Sequence, residues 1–209
     1  MPYGYLGQNQ PNQTVSNSGV FSISDVASLE KQGKFGGSLE LIEEQTASSD
    51  SAIIFSVIQE NKYDVHLLQL HNSSVSVNSE YPKIRFYENG VEESASVYQF
   101  AYDYRESTGS GGESISTASD NLRIAYSTSN PATYVANSYS YLYNLGNSSK
   151  YSFQTVQIAQ MGTGAYFREV FGGGVLPQAS LVNGIKVYVA SGTFSANLKL
   201  YGVKQIWVT

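Results

Sequence analysis

The chain has 209 residues, 17 acidic against 12 basic, and its 14% content of charged side chains lies well below the roughly 25% usual in soluble domains. That length suits one β-rich domain with an extension, or two small domains, and lets roughly 70% of the unfolded surface be buried without a covalent staple. A net charge of −5 with no basic stripe excludes a nucleic-acid backbone as partner, and the absence of cysteine excludes disulfides, thiolate metal sites and cysteine nucleophiles.

The opening "MPYGYLGQNQPNQ" lacks the basic start and apolar run of a secretory signal, and no apolar stretch approaches the roughly 20 residues that cross a bilayer as a helix. A protein retained in the cytoplasm, or assembled there into something larger, is expected, without a membrane partner. Residues 1–48 are rich in Gly, Pro, Gln and Asn, which bury too little apolar surface to offset chain ordering, so they are expected to form an extended arm that orders against a partner. Within it "SISDVASLEKQG" predicts one short helix. Ser24 caps it, Asp25 complements its dipole, Lys31 lies in the last turn and Gly33 closes it. The stretch "SLELIEEQ" that follows Gly36-Gly37 fits either an alternating or a helical pattern.

From residue 51 the texture changes to short segments rich in β-branched and aromatic residues, bounded by Gly, Asn, Ser or Pro. These are "SAIIFSVIQ", "YDVHLLQL", "PKIRFYENG", "SASVYQFAYDY", "NLRIAYST", "YSYLYNLG", "SKYSFQTVQIA", "NGIKVYVA" and "ANLKLYGVKQIWV". With turn signals at Asn89-Gly90, Asn183-Gly184 and Ser191-Gly192, they indicate an antiparallel sandwich or barrel. The expected fold is all-β: a jelly-roll-like sandwich over residues 49–209 behind the arm. "STGSGGESISTASD" (107–120) and "FGGGVLPQ" (171–178) read as loops. The last two strands are expected to pair as a hairpin, with Ile185, Val187 and Val189 facing Ala196, Leu198 and Leu200 in the core.

Residues able to do chemistry are few. His66 and His71, the two histidines, lie five apart and so on opposite faces of one strand unless a bulge intervenes, while Asp64 shares a face with His66. Glu43-Glu44 and Glu92-Glu93 are sequence neighbours and diverge in an extended chain, whereas paired acid and base work needs carboxylates converging from different strands. The glycine-rich pieces lack the Lys-Ser/Thr of a phosphate loop, and no nucleophile elbow or calcium-loop spacing occurs. The expectation is therefore no enzyme, no catalytic residue, no cofactor and no metal. Tyrosine is abundant instead, 17 residues in all. In "YQFAYDYRE" Tyr98, Phe100, Tyr102 and Tyr104 share a face; that face is either core, or in part a subunit contact or sugar-stacking platform. "YSYLYNLG" poses the same choice for Tyr139, Tyr141 and Tyr143. Tyr102, Tyr104, Tyr139 and Tyr141 are the candidate ligand or subunit contacts.

The ordered set "NQTVSNSGVFSISDVASLEKQGKF", "IIFSVIQENKYDVHLLQLHN", "IRFYENG", "SVYQFAYDYR" and "GIKVYVASGTFSANLKLYGV" resembles virion structural proteins of tailed phages, especially those of marine cyanobacteria and related bacteria. The matching motifs are Tyr63-Asp64 and Leu200-Tyr201-Gly202, and the resemblance spans most of the chain. It implies a non-enzymatic part of a virion assembled in the host cytoplasm: a tail fibre or appendage, or a decoration of the capsid exterior, self-associating as a homotrimer and contacting other virion proteins. Tyr3, Tyr5, Val20, Phe21, Ile23 and Phe35 of the arm are then the candidate anchoring contacts. The competing expectation is a carbohydrate-binding module that meets a host surface polysaccharide through its tyrosine-rich faces.

Overall fold

The period-two patterning becomes strand after strand in the computed structural model, which describes Ile23, residues 38–128 and residues 130–204. In chain order the strands are β1 (Leu39–Asp50), β2 (Ala52–Phe55), β3 (Val65–Val75), β4 (Lys83–Glu88), β5 (Val91–Glu92), β6 (Tyr98–Glu106), β7 (Gly111–Ser119), β8 (Leu122–Arg123), β9 (Ala136–Tyr143), β10 (Ser152–Met161), β11 (Phe167–Leu176), β12 (Val182–Tyr188) and β13 (Phe194–Val203). All pairings are antiparallel. One sheet of eight runs β1-β13-β3-β9-β10-β11-β6-β7, and one of five runs β2-β12-β4-β5 with β8 also on β4. A single apolar cluster takes Leu68, Leu142, Ile158, Val170, Leu198 and Leu200 from the large sheet and Phe55, Ile84, Phe86, Ile185 and Val187 from the small one. The body is a β-sandwich-like all-β fold.

The expected terminal hairpin does not form. β12 lies between β2 and β4, whereas β13 lies between β1 and β3, so the chain crosses from one sheet to the other at residues 189–193. Hydrogen bonds explain the crossing. Val189 N–H donates to Ser51 O at 3.1 Å, just before β2, and Ser76 N–H, just after β3, donates to Thr193 O at 2.9 Å, so the two ends of the turn are tied to different sheets. The six aliphatic residues still share the core, but across two sheets rather than across a ladder. By contrast Asn89-Gly90 closes β4 onto β5 with φ of 50° and 84°, the positive pair that a tight hairpin requires.

Three further differences concern strands that composition disguised. Residues 39–48, expected in the arm, form most of β1, which pairs with β13 along the edge of the large sheet. The run 107–120, expected as a loop, contains all of β7, a ladder on β6. The glycines of 171–178 lie inside β11, squeezed between β10 and β6. Gly172 sits at φ 153°, and a Cβ there would come 2.2 Å from Ala101 O, so only glycine lets β11 lie this close to β6. The helix expected around residues 22–33 falls, apart from the exposed Ile23, outside the described residues.

"NLRIAYST" was expected as a strand but contributes only the two residues of β8. Side chains of the large sheet take over the role of a ladder. Arg123 N–H donates to the Tyr102 hydroxyl at 3.0 Å, Gln154 Nε2 to Arg123 O at 3.0 Å, Ser138 Oγ to Ile124 O at 2.6 Å, and Tyr126 N–H to Gln160 Oε1 at 2.9 Å. Gln154 and Gln160 are almost wholly buried, as they must be to satisfy an irregular backbone laid across a core. Arg123 and Arg168 each leave one buried nitrogen without a hydrogen bond to the described residues. The Tyr126 ring, 4.9 Å from the first guanidinium and 5.2 Å from the second, supplies cation–π contact there.

Tyr63 and Gly202, far apart in the chain, meet in space. Gly202 pairs with His66, and a Cβ on Gly202 would lie 2.3 Å from the Tyr63 ring, so the glycine is the recess into which Tyr63 packs. Gly202→Ala is expected to cost about 1–3 kcal/mol through overpacking. Adding Tyr63→Leu should recover part of that loss, a coupling read by urea denaturation of the single and double variants. Leu198→Ala, a cavity in the middle of the core, is expected to cost about 2–5 kcal/mol in the same assay.

Candidate functional site

The strand parity that builds the core also sorts the reactive side chains. His66 points inward and is fully buried; its Nε2–H donates to Ile58 O at 2.8 Å, and the ring meets Tyr63 edge-on at 6.0 Å. Burial pushes the imidazole pKa below its ordinary 6.5, opposed by the bond to Ile58. It is a neutral core histidine. His71 is on the opposite, outer face, as the spacing indicates, where its Nε2–H donates to Gln69 Oε1 at 3.1 Å. Among the described residues no three His, Asp or Glu side chains converge as metal ligands.

The adjacent carboxylates diverge. Glu92 accepts from Arg85 at 2.9 Å and Lys186 at 2.8 Å on the outer face of the small sheet, while Glu93 accepts from the Ala95 N–H. Burial pushes the Glu92 pKa up, but the lysine and arginine contacts outweigh it and hold the group below the ordinary carboxylate value. Arg85 also pairs with Asp120 and stacks 4.6 Å from the Tyr188 ring. This face is closed by its own ion pairs. Glu43 lies beside Gln45, and Glu44 beside Asn197, on the β1 edge.

Of the candidate contact tyrosines, Tyr102 and Tyr104 face inward. Tyr102 is buried, its hydroxyl donating to Gln154 Oε1 at 3.3 Å while accepting from Arg123 N–H, and burial pushes its pKa up. It has no ring face to offer a ligand. Tyr104 packs on Tyr126 at 5.4 Å. The stripe Tyr98, Phe100, Tyr102, Tyr104 is thus core at all but its last member. Tyr139, Tyr141 and Tyr143 point outward from β9 as a row with ring centroids 6.2 and 6.5 Å apart. The arm candidates Tyr3, Tyr5, Val20, Phe21 and Phe35 lie outside the described residues, and Ile23 is exposed.

The outer face of the large sheet differs from that of the small one. Leu39, Leu41, Tyr139, Phe153, Phe171 and Ile115 are all substantially exposed upon it. Towards β7, the pairs Gly173↔Ala101 and Ala101↔Ile115 leave a flat floor beside Phe153 and Val175, a shallow depression of about 410 Å³. Towards β3, a second concavity of about 270 Å³ is lined by Gln69, His71, Asn137, Tyr139, Gln157 and Ala159. Tyr139 and His71 among these were singled out from the sequence. The others are single amides and an alanine from three strands far apart in the chain, with no local pattern to mark them.

No family model matches the chain, and no curated protein or solved structure matches it either.

The buried His66 sets a pH dependence. Its folded pKa lies below the unfolded value, so the unfolded chain binds the extra proton; stability is held above pH 6.5 and falls as pH drops below it. The urea midpoint is expected to decline between pH 7.5 and 5.5, and His66→Gln, which keeps a donor for Ile58 O, should flatten that decline.

Proposed function

We propose that this chain is a non-enzymatic structural protein of a tailed-phage virion, part of a tail fibre, an appendage or a capsid-exterior decoration. Residues 3–35 anchor it to another virion protein, and a jelly-roll-like body projects and self-associates. Threefold packing is the expected stoichiometry by analogy with the proteins it resembles. The observation that carries this proposal is the outer face of the large sheet. Phe153, Ile115 and Phe171 stand 43%, 66% and 47% exposed there, beside the Gly173–Ala101 floor. Large apolar side chains exposed together on one face of a sheet support a contact with another protein over a solvated face.

The edge beside it supports the same conclusion. β7, "GGESISTAS", holds no lysine or proline and a single acid, and among the described residues it pairs only with β6. Such an edge lacks the usual protection against strand addition. At the other edge β1 carries Glu40, Glu43 and Glu44 and two register shifts, which blunt it. Assembly is therefore directed to the β7 side.

Light scattering of the full chain should give an oligomeric mass, and Ile115→Lys with Phe153→Lys should reduce it to a monomer with an unchanged circular dichroism spectrum. A monomeric wild-type chain would overturn self-association. Deleting residues 1–35 should leave a folded, soluble body that no longer enters particles; retained incorporation would overturn the anchoring role.

A further inference from the structure

We infer that the concavity at Tyr139 is a binding site for a neutral carbohydrate. The site arises from a defect in the sheet. β3 shifts register against both β9 and β13 around His71 and Asn72, and Asn72 sits at φ 51°, so the pleat is broken in the middle of the large sheet rather than at its edge. Bulges of this kind re-aim side chains and recur beside functional sites. Opposite the bulge, Ala159 on β10 is too small to fill the space, and the result is a trough of about 270 Å³. That is near the lower end of ligand pockets, roughly 300 Å³, and suits one sugar ring at a time.

Its walls are held in place. The Tyr139 hydroxyl donates to Gln157 Oε1, and Gln157 Nε2 donates in turn to Glu169 at 2.7 Å, which fixes a ring whose side is 44% exposed. On the other side His71 holds Gln69 through its carbonyl oxygen. At the bulge, Asn72 N–H donates to Asn137 Oδ1 at 2.9 Å. The bonds to Gln69 and Asn137 use the oxygen of the amide. The nitrogens of Gln69 and Asn137 are left without a partner among the described residues, as two positioned donors on one trough.

The lining names the ligand class. It contains no aspartate, glutamate, lysine or arginine, and its one histidine, His71, is engaged with Gln69, so the lining is built to meet a neutral ligand. An aromatic face receives the C–H side of a pyranose, and planar amides meet its hydroxyl oxygens. Tyr141 and Tyr143 continue the row along β9, which lets a chain of sugars extend beyond the trough. This inference is independent of the assembly proposal, because the trough lies over β3, β9 and β10 and not at the β7 edge.

The test is binding of the full chain to an immobilised panel of neutral oligosaccharides (glucans, galactans, mannans and xylans), with calorimetric titration of any that bind. Ala159→Leu, which fills the trough without touching its hydrogen bonds, and Tyr139→Ala are each expected to weaken binding about tenfold, the scale of one aromatic contact. Tyr139→Phe should retain most of it. The melting temperature of Ala159→Leu should match the wild type. Binding that survives both Ala159→Leu and Tyr139→Ala would overturn the site while leaving a carbohydrate activity elsewhere. No binding to any member of the panel would overturn the ligand class. A wild-type oligomer that dissociates in Ala159→Leu would make the trough a contact between copies and overturn the inference too. None of these outcomes bears on incorporation through residues 3–35.

Discussion

Every feature of the body depends on one apolar layer being sealed between sheets of unequal width. Leu68, Leu198 and Leu200 from the eight-stranded sheet and Phe55, Phe86 and Ile185 from the five-stranded sheet are essentially without solvent contact. Each such side chain contributes about 1.5–3 kcal/mol on burial. The crossing at residues 189–193 sends adjacent strands into opposite sheets, so the layer joins the last two strands of the fold without a ladder between them. The chain between β7 and β9 has to pass over apolar surface, where an unpaired backbone group costs more than a hydrogen bond returns. Gln154, Gln160, Ser138 and Tyr102 meet that demand from the sheet beneath. Their burial is a structural necessity, and it takes Tyr102 out of any recognition surface.

The two outer faces then divide the remaining properties. On the small sheet, Arg85, Glu92, Asp120 and Lys186 neutralise one another, and Tyr188 is covered by the arginine. On the large sheet, aromatic and aliphatic side chains alternate with amides, and formal charge is sparse, with Glu44 and Lys199 on one side and Asp103, Glu113, Arg105 and Glu169 on the other. A face of this composition is weakly hydrated by charge and rich in oriented donors and ring faces. Adhesion to neutral partners, whether protein or polysaccharide, is the property proposed for it.

Positions on this face are not equivalent. The β7 side is flat because Gly173 and Ala101 place almost nothing above the backbone, and flatness favours a broad contact with another surface. The Tyr139 side is concave because β3 bulges, and concavity favours a small ligand held by a few fixed groups. The proposed assembly contact thus lies at one edge of the sheet and the proposed carbohydrate site nearer its middle.

Sequence by itself determined the all-β class, the boundaries of several strands, and which residues of a strand share a face. The shared face of Tyr98, Phe100 and Tyr102 and the opposed faces of His66 and His71 follow from period two alone, because alternation is a property of the single strand, whereas the burial of the tyrosine face was settled by the fold. Only the tertiary structure decided which strands pair. It placed β12 and β13 in different sheets, made strands of the polar run 111–119 and the glycine tract 172–174, and joined Tyr63 to Gly202. The Tyr139 trough belongs with these, since Gln69, Asn137, Gln157 and Ala159 come from three strands and share nothing until the register is set. The physical reason is that a ladder's hydrogen bonds are made by backbone groups that are the same in every residue but proline. Side-chain pattern specifies a strand's faces, while its neighbours are chosen by how the whole core closes.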